Sequence, residues 1–199
     1  MDPAFESVVR SVAACDTARL ATREEKLAFW INAYNILAMR MVAKHWPVAS
    51  IRDIGSLLFP VWGKTAAEIS GRSYSLDQIE DEQLRTLGDP RIHVAIVCAS
   101  TSCPTLAREP YVVATLDAQL DAAFARFVAN PEKGFRLDRA ARTIHLSSIF
   151  KWFARDFEKQ GGPLAVISRH LDGAERDWVR ANGTTATLEY MDYDWRVNG

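Results

Sequence analysis

Cysteine is scarce in this chain of 199 residues: Cys15, Cys98 and Cys103 are the only three. That is too few for a disulfide framework, and an odd count leaves at least one thiol unpaired. Long apolar runs are also missing. No stretch approaches the roughly 18 residues of a membrane span, and Met1 to Glu6 lack the basic-then-apolar pattern of a signal peptide. The expected protein is soluble, and periplasmic or secreted if a signal segment has been removed from its start. Neither sign of charge is in excess: 24 Lys and Arg face 25 Asp and Glu, a formal net charge of -1. Nucleic acid and anionic membrane surfaces therefore have no electrostatic claim as partners. No Cys or His pairs stand at zinc-finger spacing, so neither a metal nor a cofactor is expected. No repeat, low-complexity stretch or linker divides the chain.

What the chain does have is one segment that runs from apolar residues straight into two thiols, Arg91-Ile92-His93-Val94-Ala95-Ile96-Val97-Cys98-Ala99-Ser100-Thr101-Ser102-Cys103-Pro104. The β-branched run over 92–98 predicts a strand buried on both faces. The loop after it then presents small polar residues at a strand end. Pro104 donates no backbone hydrogen bond and keeps Cys103 out of helical geometry. On this reading Cys103 is the more accessible and reactive thiol and Cys98 the buried one.

Elsewhere the pattern predicts helices around a small sheet. Val8, Val9 and Val12 recur at helical spacing. Thr22 and Glu25 form a capping box for a helix from Arg23 to about His45, stopped by Pro47. Its apolar residues lie on more than one side, as in a central helix. Inside it, Asn32 and Asn35 are poor helix formers whose burial demands partners, either loops tied to the core or a catalytic group to be oriented. Residues 55–64, with Pro60 and Trp62, read as a loop, and Ile69 to Tyr74 as a tight turn between short strands. Ser75 caps a helix carrying Glu80, and Gly88-Asp89-Pro90 is a turn. A helix from Leu116 to Val128 ends at Asn130-Pro131. A hairpin joins 135–138 to 143–147, and Ser147 or Ser148 caps an aromatic helix that stops at Gly161-Gly162. Thr187 to Tyr190 closes the chain as a strand. The fold class is α+β, with several helices around a small, mostly antiparallel sheet.

Seven stretches in order resemble the DUF547 family, a domain of unknown function found in bacteria and plants. They are Phe29-Trp30-Ile31-Asn32-Ala33-Tyr34-Asn35, Val48 to Ile54, Ser75-Leu76-Asp77-Gln78-Ile79-Glu80, Asp89-Pro90-Arg91-Ile92-His93, Ser102-Cys103-Pro104, Leu146 to Phe153, and Tyr193-Asp194-Trp195. The resemblance implies a DUF547-like domain over 23–199 preceded by a segment at 1–22 that is shorter than usual. Asp81 stands where many relatives carry histidine. The helix-plus-sheet organisation implied by the resemblance is similar, by analogy, to that of papain and transglutaminase.

Two functions from different classes fit. In the first, the protein is a cysteine-dependent hydrolase or transferase acting on an amide, thioester or thiol-containing substrate. Cys103 is then the nucleophile and His93 the base that lowers its pKa, with Glu80, Asn32 or Asn35 orienting the imidazole. Asn32, Asn35, Ser102 and Trp62 are the candidates for contact with a small-molecule or peptide substrate. In the second, the domain is non-catalytic and binds a small thiol such as glutathione, or a partner peptide, with Cys98 a buried core thiol and Cys103 either packed as a small hydrophobe or forming a mixed disulfide. The dyad carries a geometric demand. At about 3.3 Å per residue a straight strand separates His93 from Cys98 by roughly 16 Å, so the thiol loop has to fold back.

Overall fold

The long helix α2 (Arg23–His45) begins where the capping box places it: Thr22 Oγ1 accepts from the Glu25 N–H at 3.1 Å, and Glu25 Oε2 accepts from the Thr22 N–H at 2.9 Å. Leu27, Ile31, Ala33, Leu37 and Ala38 are almost completely buried along it. Pro47, which follows Trp46 through a cis bond, lies beyond its end. This computed structural model describes residues 1–56 and 60–198. Of the loop expected over 55–64, residues 57–59 lie outside the described residues.

Upstream, α1 (Pro3–Ala13) lays Val9 and Val12 into the same hydrophobic cluster as α2, and Glu6 pairs with Arg40 of α2 at 3.0 Å. The tight turn is a two-stranded antiparallel hairpin, β1 (Thr65–Ile69) with β2 (Arg72–Ser75). Ser75 forms a second capping box with Gln78 and opens α3 (Leu76–Gln78). A π-helical turn, Ile79–Leu84, and a 3-10 turn, Arg85–Leu87, continue it, and Gly88 ends the run in the left-handed conformation.

Past the central segment, α5 (Leu116–Val128) packs Phe124 and Phe127 against a second hydrophobic cluster. β3 (Phe135–Asp138) and β4 (Thr143–Leu146) pair antiparallel, as the alternation predicts. Four helices follow: α6 (Ser148–Trp152), α7 (Ala154–Phe157), α8 (Pro163–Arg169) and α9 (Gly173–Asn182). Ser147 Oγ caps the first, and Gly161 and Gly162, both at positive φ, separate the second pair from the first. β5 (Thr187–Tyr190) then returns to lie parallel to β4, with Thr143 opposite Thr187 and Leu146 opposite Tyr190. The architecture is α+β. No helix among the described residues is long and apolar enough to cross a membrane.

One element differs from expectation. Residues 92–98 are not a strand: Ile92–Ala95 form a single helical turn, α4, and the chain becomes extended at Ile96. The turn starts at Asp89-Pro90, where the N–H groups of Ile92 and His93 donate to the carbonyls of Asp89 and Pro90 and Asp89 Oδ1 accepts from the Arg91 N–H at 3.1 Å. Pro90 suits that place because its fixed φ and missing N–H cost nothing in a first turn. The segment is apolar all round for a different reason from a sheet: Val94 belongs to the second hydrophobic cluster, Ile92, Ala95 and Ile96 to the first. It is the seam between the two halves of the core, and α2 therefore packs on a helical turn and its extension rather than on a strand.

Candidate functional site

Asn35 fixes the direction in which the chain leaves that seam. Its Nδ2 donates to the Ala95 carbonyl at 2.9 Å and its Oδ1 accepts from the Val97 N–H at 2.9 Å, so a 5 % exposed amide satisfies two buried backbone groups immediately before Cys98. Asn32, three residues earlier on α2, grips Tyr111 in the same two-point way, at 2.8 and 2.9 Å. Both side chains tie loops to the long helix, which answers the cost of an amide inside it.

Beyond Cys98 the loop reverses. Ala99 adopts a left-handed φ of 59°, and the Cys103 N–H donates to the Ser100 carbonyl at 3.0 Å. The C-terminal tail clamps the reversal from outside: the N–H groups of Thr101 and Ser102 donate to the carbonyls of Arg196 and Asp194, and Ser102 Oγ accepts from the Asp194 N–H at 2.9 Å. The fold-back brings Cys103 Sγ to 3.1 Å from Cys98 Sγ, and the Cys98 N–H also points at Cys103 Sγ. The expected exposures are reversed. Cys103 is 2 % exposed, whereas Cys98 is only half-buried, because the loop returns onto the core instead of projecting from it.

Cys98 Sγ has two further polar neighbours, Ser100 Oγ at 3.0 Å and the Tyr193 hydroxyl at 3.3 Å, and Ser100 donates to Tyr193 at 3.1 Å. With both thiols protonated, Cys98 donates to Cys103; once Cys98 is ionised the bond reverses and the Cys103 S–H donates to the thiolate. That hydrogen bond, reinforced by Ser100 and Tyr193 against the opposing effect of burial, draws the Cys98 thiol below the ordinary cysteine value, while burial and the neighbouring sulfur push Cys103 well up. The Cys98 N–H aimed at Cys103 works the other way, but it is one donor against the Cys103 S–H, the Tyr193 O–H and the Ser100 backbone N–H. We therefore place the thiolate on Cys98. Burial holds Tyr193 as the neutral phenol, a donor.

The pair opens into a cleft of about 200 Å³ whose walls are aromatic. Trp195 joins the others in those walls, in edge contact with Trp62 at 5.3 Å and stacked on Trp152 at 5.6 Å, with Tyr193 at 4.5 Å. His93 and Glu80 line the same cleft. The imidazole is stacked on Phe153 at 3.8 Å and 3 % exposed. Its Nε2 lies 2.8 Å from Asp156 Oδ2, and its Nδ1 is 3.2 Å from Glu80 Oε1, off the axis of an aligned hydrogen bond. Glu80 reaches this position from the π-helical turn, a local irregularity often found at functional sites. Burial opposes the imidazolium, but Asp156 and Glu80 outweigh it and raise the His93 pKa. Asp156, bonded to His93 and to Arg85 at 2.7 and 3.0 Å, lies well below the usual carboxylate range. Neither ring nitrogen faces a thiol. Asp81 binds Arg85 at 2.7 Å on the outer side of this group.

The structure thus brings Cys98, Cys103, His93, Glu80 and Trp62 to one cleft, puts Ser102 in the clamp behind it, and uses Asn32 and Asn35 on backbone. Ser100, Tyr193 and Asp156 are members that sequence reasoning did not single out. Tyr193 was visible only as part of a family-like motif, and Asp156 as an acidic residue amid aromatics, which gave no sign of its partner. A larger groove of about 670 Å³ lies elsewhere, but its Arg23 and Arg91 are engaged by Asp89, Asp117 and Asp121. Among the described residues no group of three or more His, Cys, Asp or Glu side chains is placed to hold a metal ion.

No curated protein and no solved structure matches the chain significantly. A family model described as "Protein of unknown function, DUF547" matches residues 18–128, a range that takes in Asn35, Glu80, His93 and both cleft thiols and stops short of Trp152, Asp156 and Tyr193. The match covers more than half of the 199 residues, and the chain belongs to the DUF547 family.

Proposed function

We propose that the cleft is the active site of a cysteine-dependent transferase or hydrolase that takes the acyl group of a small thioester or amide, with Cys98 as nucleophile and Cys103 as its hydrogen-bond partner. The observation that carries this reading is the position of Cys98 Sγ, at the cleft wall with Cys103, Ser100 and Tyr193 all within hydrogen-bond distance. A thiolate is the nucleophilic form of cysteine, and hydrogen bonds to it lower the pKa without a basic neighbour. Cys103, the residue favoured from sequence, serves the reaction as donor. His93, with a carboxylate at each nitrogen and its pKa raised by them, is held against Phe153 and reaches the thiols only if Asp156 or Glu80 lets go. That arrangement departs from the papain-type pairing and favours, as second reading, a binding domain for a small thiol or peptide.

The two readings separate on acylation. Treatment with p-nitrophenyl acetate or a small acyl thioester near neutral pH should add one acetyl group at Cys98, seen by intact mass and peptide mapping. The adduct should vanish in Cys98→Ser and persist, more slowly formed, in Cys103→Ser. Labelling of Cys103 with Cys98 untouched would return the nucleophile to Cys103, and no labelling of either would leave the binding domain as the reading.

A further inference from the structure

The second sulfur is more than a nucleophile needs. We propose that Cys98 and Cys103 act together as a dithiol that reduces small disulfides, Cys98 attacking and Cys103 resolving, so that the cleft cycles between an open dithiol and a closed Cys98–Cys103 bridge. The proposal rests on the reading above only in taking Cys98 as the attacking sulfur; no acyl chemistry is required.

Four observations support it. The sulfurs are 3.1 Å apart before any bond exists, so bridging needs an approach of about an ångström to reach the roughly 2.05 Å of a disulfide. The loop between them is already closed by the Cys103-to-Ser100 turn and held by the tail through Thr101, Ser102 and Asn198, and ring closure has little chain entropy left to overcome. Both sulfurs line the cleft, and the attacking one is the more exposed of the two. Finally, a cleft of about 200 Å³ is smaller than the usual drug-sized site of about 300–1,000 Å³, which suits one arm of a small disulfide and not a folded partner.

The steps balance. The Cys98 thiolate attacks one sulfur of R–S–S–R, the S–S bond breaks, and R–S⁻ leaves and takes up a proton as R–SH. Cys103 then gives its proton to water and attacks Cys98 Sγ of the mixed disulfide, expelling the second R–S⁻, which is protonated in turn. The protein dithiol loses two electrons and two protons, and the small disulfide becomes two thiols. While the bridge stands, Cys98 is not a nucleophile, so the acylation described above should disappear on oxidation and return on reduction.

Glutathione disulfide is a suitable probe, with the reduced protein at its full length. Both cysteines fall in one tryptic peptide, 92–108. The expected result is loss of two hydrogens from that peptide, with Cys15 free and two equivalents of glutathione released, reversed by excess reduced thiol. Cys103→Ser should stop at a mixed disulfide on Cys98. A lasting mixed disulfide on Cys98 of the unaltered protein would overturn the proposal, as would failure of either thiol to react. Acylation of Cys98 persisting in that case would show that the nucleophile stands and the dithiol does not.

Discussion

Asn32 and Asn35 allow burial to be separated from chemistry, since each makes the same two-point grip on backbone from the same helix and only their surroundings differ. Asn35 is 5 % exposed and Asn32 half-buried. Replacing Asn35 with Leu, close to it in volume, leaves the Ala95 carbonyl and the Val97 N–H without partners where water cannot follow. At about 1–3 kcal/mol for each buried group left unsatisfied, the gross cost is about 2–6 kcal/mol. The apolar side chain returns about 1 kcal/mol through burial, for a net loss of about 3 kcal/mol. Asn32→Leu uncovers the same two groups of Tyr111 nearer to solvent, where water substitutes, and the loss should be about 1 kcal/mol. Urea unfolding reads the difference: with a slope of about 2 kcal/mol per molar, the Asn35 variant should unfold about 1.5 M earlier and the Asn32 variant about 0.5 M earlier. Because Val97 precedes Cys98, the Asn35 variant should also alkylate at that thiol more slowly than the parent. Equal losses at the two positions, or a larger one at Asn32, would refute the reasoning that water access sets the cost.

Two further outcomes follow from the geometry. His93, despite its burial, has a raised pKa because of Asp156 and Glu80, so its stabilising contribution is complete below the ordinary histidine value of about 6.5 and is lost as pH rises through the higher folded-state value; the gap in urea midpoint between the parent and His93→Gln should therefore be wide in mild acid and narrow in alkali. At Gly134 a Cβ would lie 2.0 Å from the Phe127 carbonyl oxygen and 2.9 Å from Val128 Cα, both backbone; Gly134→Ala should cost about 1–3 kcal/mol, and an unchanged thermal midpoint would contradict the close approach of β3 to α5.

Local signals in the sequence were enough where a residue's neighbours along the chain decide its conformation. The capping residues Thr22 and Ser75, the stops at Pro47 and Gly161-Gly162, and the hairpin around 139–142 all work within one turn of themselves, and each stands in the structure where the pattern puts it. Residues 92–98 failed the same logic. An apolar run of that length fits a buried strand and a buried helical turn equally well, and the deciding contacts come from two core clusters drawn from distant parts of the chain. The parallel pairing of β5 with β4 was equally out of reach, since four helices intervene and nothing in Thr187 to Tyr190 names its neighbour.

The same division runs through the site. His93 and Glu80 were both in view, but a raised histidine also needs Asp156, and Asp156 needs Arg85 to be held; that group of four is assembled from the π-helical turn and its 3-10 continuation, α4 and α7. With cation and carboxylates satisfying one another, the group can be buried at all, and it sets Phe153 as a wall of the cleft. The thiols obtain their polarity from elsewhere, from Ser100 in their own loop and Tyr193 in the tail, which are neutral donors. A site divided in this way separates rigidity from reactivity: altering His93 should act first on stability, whereas altering Tyr193, which touches Cys98 directly, should act first on the thiol. Tyr193→Phe removes one donor and keeps the ring between Trp152 and Trp195, and it should shift Cys98 alkylation to higher pH with the unfolding midpoint almost unmoved. If that variant unfolds early and its remaining folded protein alkylates with the parent's pH profile, the hydroxyl belongs to the packing of the tail and not to the chemistry of Cys98.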